Sequence, residues 1–186
     1  PRRHLIEVSV RPHLLRVGPR SRYIELHRLL FRHSNTSAVQ RGGAAVVLGD
    51  DCLASQCEFR RCDFAGVSLG WNRFGSRIID CVASDNGCTG IAADRHRGFL
   101  VSRCVIARNN YRGFNTQWHA GGIKVTDHGD GSVEDCEVVD NRGIGIWYDY
   151  ADNGQANRIR RNWVGGNHDR AAGISFECSA HGLIVD

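Results

Sequence analysis

The sequence predicts an all-β solenoid in which short strands stack as repeated rungs. Three observations in the 186-residue chain support this fold class. Apolar, Cys, Asn and Gly residues recur together at steps of 23 to 32 residues, 22 Gly accompany only 3 Pro, and no segment has the apolar spacing of a long helix. Strands of a few residues cannot bury an apolar face alone, whereas stacked rungs bury a continuous apolar column.

Each copy of the repeat shares four columns of residues. The anchor column is Cys57, Cys81, Cys104, Cys136 and Asn162. Two positions after the anchor stand Phe59, Ala83, Ile106, Val138 and Val164. Five positions after it stand Cys62, Asn86, Asn109, Asn141 and Asn167. A Gly followed by a β-branched residue closes each copy, at Gly66, Gly90, Gly122, Gly145 and Gly173. The one large deviation is an insertion of about nine residues, within 112–121.

The residue types in these columns suit stacked rungs. We expect Gly and Asn to form the corners, because both tolerate the left-handed backbone. A column of Asn can also form a ladder in which each amide binds its copies above and below. The column of four Cys predicts buried free thiols that act as small apolar side chains. No Cys and His spacing matches a zinc site.

The chain divides into a basic N-terminal strand or partial rung, residues 1–22, and about six rungs over residues 23–186. Without an initiator Met, and with a strand-like end at residues 183–185, it reads as part of a longer solenoid that continues into further rungs. Nine Arg lie within residues 1–41, but they alternate with apolar residues, which favours a solvated strand face over a nucleic-acid partner. No apolar run approaches the roughly 20 residues that span a bilayer, so no membrane partner is expected.

One outer face concentrates the residues that can carry chemistry. The β-branched residue after each Gly of the repeat should point inward. The residues two and four positions after that Gly should then point outward, since alternate strand residues face opposite sides. Towards the C-terminal end these positions hold Lys124, Trp147 and Ser175 in one column, and Asp94, Thr126, Asp149 and Glu177 in the other. Lys124 is the only lysine of a chain with 24 basic residues.

Asp149 and Glu177 form the candidate catalytic pair. Equivalent positions on adjacent rungs lie about 4.8 Å apart, and retaining glycosidases hold two carboxyl groups roughly 5–5.5 Å apart. Two like charges about 5 Å apart repel by roughly 3 kcal/mol at an effective dielectric near 20. We therefore expect one acid to hold its proton near neutral pH and the other to stay ionised. Splayed, solvated acids are the alternative.

The repeat unit at residues 77–91 resembles that of right-handed parallel β-helix proteins, the pectate-lyase-like superfamily. The resemblance covers about residues 23–186 and implies a three-sided solenoid among enzymes and binders of polysaccharides. It also implies a secreted, extracellular or periplasmic protein whose partner is a polysaccharide or oligosaccharide.

Three motifs add a closer resemblance. They are Gly-Gly-x-Lys at residues 121–124, Gly-x-Gly-x-Trp-x-Asp at residues 143–149, and Glu-x-Ser at residues 177–179. Together they resemble a bacterial branch of β-helix proteins and the β-helix β-xylosidase-type glycosidases, in which a His-Gly also follows, here His181-Gly182. This implies Asp149 as nucleophile and Glu177 as acid/base. Their separation of 28 residues is a few more than that family's pattern.

Two other functions stay open. A polysaccharide lyase or uronate epimerase would use Lys124 as base, with Ca²⁺ held by Asp94, Asp149 and Glu177. A non-catalytic glycan-binding or structural module would use none of them as catalysts. The hydrolase requires no cofactor or metal. In either enzyme we expect the substrate to be bound by Trp147, as a sugar-stacking platform, and by Asp94, Thr126, Ser175 and His181. The alternative for Trp147 is that it packs against the inserted loop with Trp118.

Overall fold

The chain forms a stack of rungs, each made of three short strands separated by corners. A computed structural model describes residues 4–7, 13–35, 43–152, 157–169 and 172–185. Those residues form 21 strands and no helix, so the described part of the chain holds no helix able to cross a membrane.

The strands, numbered in chain order, build three parallel sheets of seven strands each. Sheet A contains β1 His4–Glu7, β4 Leu29–Arg32, β7 Glu58–Arg60, β10 Val82–Ser84, β13 Val105–Ala107, β16 Glu137–Val139 and β19 Trp163–Gly165. Sheet B contains β2 Leu15–Arg16, β5 Ala44–Val47, β8 Ala65–Ser68, β11 Thr89–Asp94, β14 Gly121–Thr126, β17 Ile144–Asp149 and β20 Ile174–Glu177. Sheet C contains β3 Glu25–His27, β6 Leu53–Ser55, β9 Arg77–Ile79, β12 Phe99–Ser102, β15 Gly131–Glu134, β18 Asn157–Arg160 and β21 Gly182–Val185.

The register between rungs confirms the sequence repeat. Phe59 pairs with Ala83, which pairs with Ile106 and then Val138, and the β-branched residues after the Gly column pair in the same way. All of these residues enclose one apolar core. Strands β1 and β2, which precede residue 23, pair in parallel with β4 and β5.

The Asn column forms a buried ladder, as the sequence predicts. Asn109 Nδ2 donates to Asn141 Oδ1 at 2.8 Å, and Asn86 Nδ2 donates to Asn109 Oδ1 at 3.0 Å. Each Asn Oδ1 also accepts the backbone N–H of the residue one rung earlier, as Asn109 does from Asn86 at 3.1 Å. The ladder explains the Gly column too: a Cβ on Gly90 would lie 2.8 Å from Asn109 Nδ2, and one on Gly145 would lie 2.7 Å from Asn167 Nδ2.

The Cys column carries free, buried thiols within the core. The sulfur of Cys104 accepts the backbone N–H of Cys81 at 3.4 Å, and Cys136 does the same for Cys104. At the end of the column Asn162 Oδ1 takes over this role and accepts from Cys136 N at 2.9 Å. Cys and Asn share the column because each offers an acceptor to the rung before it.

The expectation that Gly and Asn form the left-handed corners is wrong for most copies. The corner after the sheet C strands holds Asp80, Arg103, Asp135 and Arg161, all with φ between 47° and 54°. Their side chains form bidentate ion pairs across rungs, Arg103 with Asp80 at 2.7 and 3.0 Å and Arg161 with Asp135 at 2.7 and 2.8 Å. The Arg-rich composition follows in part from this geometry, because only a guanidinium forks onto a carboxylate.

The Asn ladder gives the first prediction. Asn109→Ala removes the acceptor of two buried donors, the main-chain N–H and the Nδ2 of Asn86. At roughly 1–3 kcal/mol for each unsatisfied buried group, the free energy of unfolding should fall by about 2–6 kcal/mol in urea titrations. The exposed Gln117→Ala is the control and should change it by less than about 0.5 kcal/mol. Equal stability of the two variants would contradict the ladder.

Candidate functional site

The outer face of sheet B carries a groove lined by four of the eight predicted site residues, namely Asp94, Lys124, Thr126 and Asp149. Glu177, Trp147, Ser175 and His181 are not among its lining residues. The groove has a volume of about 710 Å³. Its floor comes from the ends of successive sheet B strands and its walls from the segments before and after them. The lining residues are His13, Arg16, Val47, Phe64, Ser68, Trp71, Asp94, Trp118, His119, Lys124, Thr126, Asp127, Asp149 and Tyr150.

The two outward columns pair in the predicted register. Lys124 pairs with Trp147, which pairs with Ser175. Thr126 pairs with Asp149, which pairs with Glu177. Because each strand continues the parallel ladder of the previous one, side chains 23 or 28 residues apart in sequence become direct neighbours.

Lys124 is the electrostatic centre of the groove. Its Nζ lies 2.7 Å from Asp149 Oδ2, and its side chain is only 3% exposed. Nζ also lies 3.0 Å from the centroid of the Trp147 ring, a cation–π contact. Burial lowers the pKa of Lys124 below its usual value, while the carboxylates of Asp149, Glu177 and Asp94 oppose this shift. The lysine thus neutralises the carboxylate on the next rung.

Asp149 and Glu177 differ in their surroundings. Asp149 keeps 18% of its side chain exposed at the groove, and its Oδ1 is buried without a hydrogen-bond partner among the described residues. Glu177 lies one rung further on and is exposed. One acid is therefore fixed by a cation, and the other extends into solvent beside it.

Asp94 is the third carboxyl group of this face. It stands two rungs before Asp149 in the same column, with Thr126 between them. Burial raises its pKa to about 6, with a smaller raising effect from Asp127, while Lys124 acts in the opposite direction. Asp94 thus changes protonation closer to neutral pH than an ordinary aspartate does.

The predicted role of Trp147 as an open sugar-stacking platform is wrong. Its side chain points away from the core, as the alternation requires, but it is 2% exposed and Lys124 Nζ lies over its ring. Periodicity identifies which side of a strand a residue takes, but not whether other segments cover that side.

Comparison with known proteins agrees with this architecture. The family model described as "Right handed beta helix region" matches residues 75–186, more than half of the chain. The chain belongs to the right-handed β-helix family. The crystal structure of pectate lyase Pel9A is similar, with a TM-score of 0.46 and 13% identity over 85% of this chain and 54% of that one. The chain thus spans about half the length of that structure. No curated protein matches the chain.

The remaining predicted residues differ in whether they line the groove. Thr126 lines the groove. Ser175 is half-buried on β20, outside the groove lining. His181 lies at a corner, with Nε2 3.7 Å from Asp152 Oδ1, and does not line the groove. Asp94, Asp149 and Glu177 do not form a cation cage, since the described residues contain no group of three His, Cys or acidic side chains placed to hold a metal ion.

Sequence reasoning missed the walls of the groove. Trp118 and His119 come from the insertion at residues 112–121, whereas Trp71, Asp127 and Tyr150 lie at corners after the sheet B strands. The insertion is the one large break in the sequence repeat, and this break is the signal that points to Trp118 and His119. A smaller cavity of about 500 Å³ lies elsewhere, lined by His33, Ser34, Asn35, Arg61, Asp63, Asp85 and Tyr111. None of the predicted site residues lines it.

The raised pKa of Asp94 gives the second prediction. Because the folded-state pKa of about 6 exceeds the usual 3.8, the stability that Asp94 contributes is complete below pH 3.8 and is lost as the pH rises through 6. Asp94→Asn should therefore stabilise the β-helix at pH 7.5 by roughly 1–3 kcal/mol and lose this advantage near pH 4. Thermal unfolding at the two pH values measures it.

The control is Asp152→Asn, whose side chain is 53% exposed and which should show no comparable gain. An Asp94→Asn variant that is no more stable than the wild type at pH 7.5 would show that burial does not raise the pKa of Asp94.

Proposed function

We propose that this β-helix hydrolyses a glycosidic bond with retention of configuration, using Asp149 and Glu177. The observation that carries the proposal is the direct pairing of Asp149 with Glu177 on adjacent strands of sheet B. Adjacent rungs lie about 4.8 Å apart, which suits the roughly 5–5.5 Å between the carboxyl groups of retaining enzymes. The substrate is a polysaccharide or oligosaccharide outside the cell.

Each acid has a role that fits its contacts. Asp149 attacks the anomeric carbon and forms a covalent glycosyl ester, while Glu177 protonates the departing oxygen. Glu177 then takes a proton from water, and the water oxygen displaces Asp149 from the anomeric carbon. Lys124 supports the first step, because its ammonium holds Asp149 Oδ2 at 2.7 Å in one position.

The contacts of Lys124 favour this role over that of a base in a lyase or epimerase. A base must reach the proton that it removes, but the Lys124 side chain is 3% exposed and its Nζ is engaged by both Asp149 and the Trp147 ring. Its lowered pKa has burial as the largest cause, and the ion pair opposes deprotonation. Lys124 is therefore proposed as a positioning residue.

The third prediction tests the acid/base. Glu177 is exposed, so Glu177→Gln should leave the fold intact and lower kcat by about 10²–10⁴-fold, as expected for the loss of general acid–base catalysis. The first measurement is reducing-sugar release from a panel of plant and bacterial polysaccharides. The matched control is Glu137→Gln, an exposed glutamate on sheet A, which should keep full activity.

Two outcomes would overturn the proposal. Unsaturated products that absorb in the ultraviolet would assign elimination instead of hydrolysis. Glycan binding without any turnover, unchanged by Glu177→Gln, would assign a binding module.

A further inference from the structure

We propose that the groove holds an extended, uncharged glycan chain, gripped between Trp118 on one edge of sheet B and Trp71 on the other. This rests on the proposed function for the identity of the occupant as a glycan. It adds the charge class of the substrate and two residues that bind it away from the Asp149–Glu177 pair.

The groove is long enough for several sugar units. Its lining includes residues from six successive strands of sheet B, from Arg16 on β2 to Asp149 on β17. Five rung spacings of about 4.8 Å give roughly 24 Å along the solenoid axis. An oligosaccharide chain lying across the rungs suits this length better than a single sugar.

The inserted loop, residues 112–121, packs against sheet B and forms one wall of the groove. Its Phe114 packs edge-on against Phe64 at 5.4 Å, and His119 stacks on the same ring at 5.7 Å. Thr89 Oγ1 donates to the main-chain oxygen of His119 at 2.6 Å. These contacts on both sides of Trp118 fix the loop against sheet B.

Trp118 presents its ring at the groove and is 44% exposed. It precedes β14 by a few residues, whereas Trp71 follows β8 by a few residues, so the two indoles stand at opposite edges of the sheet. Arg95 lies over the Trp71 ring at 5.3 Å and limits its rotation. Large, rigid aromatic faces suit the apolar C–H faces of sugar rings, and they lose little conformational entropy on binding.

The charges of the groove favour an uncharged chain. Among the described lining residues, carboxylates outnumber Lys and Arg: Asp94, Asp127 and Asp149 against Arg16 and Lys124. Lys124 is already paired with Asp149, and Asp127 with Arg95 at 3.3 Å, which leaves Asp94 and Arg16 in the lining. A polyuronate carries one carboxylate per sugar and would find no excess of cations here to match them, whereas a neutral glycan needs none.

Binding to the wild-type chain tests the inference with defined probes at pH 7.5. The probes are cellohexaose, xylohexaose, mannohexaose and hexagalacturonate, each followed by isothermal titration calorimetry. At least one neutral hexasaccharide should bind, and hexagalacturonate should bind at least about tenfold more weakly. Trp118→Ala and Trp71→Ala should each weaken the neutral ligand by about tenfold, or about 1.4 kcal/mol. Trp163→Ala is the control, since Trp163 is 74% exposed on sheet A and should leave the affinity unchanged.

The inference is overturned if hexagalacturonate binds as tightly as the neutral probes, if no probe binds, or if Trp118→Ala and Trp163→Ala behave alike. Glu177→Gln separates it from the proposed hydrolysis. If Glu177→Gln binds the neutral glycan normally but does not hydrolyse it, the result supports both the groove assignment and the proposed hydrolysis. Tryptophan-dependent binding with no turnover in the wild type supports the groove and refutes the hydrolase, whereas turnover with unchanged KM in Trp118→Ala refutes the groove assignment alone.

Discussion

The parallel register between successive rungs is the constraint on which the rest of the structure depends. Every strand inside a sheet pairs with its copies one turn earlier and one turn later, so each column of side chains must be compatible with itself at a spacing of about 4.8 Å. The Asn ladder, the thiol column and the alternating Asp–Arg corners are three solutions to this requirement. Each lets a side chain meet the backbone or the charge of the next rung.

The same constraint creates the candidate site. It brings Lys124, Asp149 and Glu177 together from three separate turns, and it places Lys124 in a column whose other members, Ser68, Ala92, Trp147 and Ser175, are uncharged. A buried ion pair costs desolvation. Lys124 and Asp149 bear this cost, whereas the equivalent positions on the β8 rung hold the uncharged residues Ser68 and Gly70. That departure from the ordinary repeat is a reason to assign function to these rungs.

The sequence predicts the solenoid, the columns and their inward or outward direction, because all of these follow from periodicity. It does not predict what covers an outward column. Trp147 is buried although its column faces outward. Trp118, which lines the groove, comes from the insertion at residues 112–121, outside the repeat. Periodicity also does not predict the corner residues: Asp and Arg take left-handed conformations there, and their side chains form ion pairs between rungs.

The stereochemistry of the product tests the pairing of Asp149 with Glu177 most directly. Proton NMR of the anomeric signal, recorded in the first minutes of hydrolysis of a glycan that the protein cleaves, reports the configuration before mutarotation. Carboxyl groups on adjacent rungs predict retention. Inversion would contradict the account and would point instead to Asp94, which stands two rungs, or roughly 9–10 Å, from Asp149.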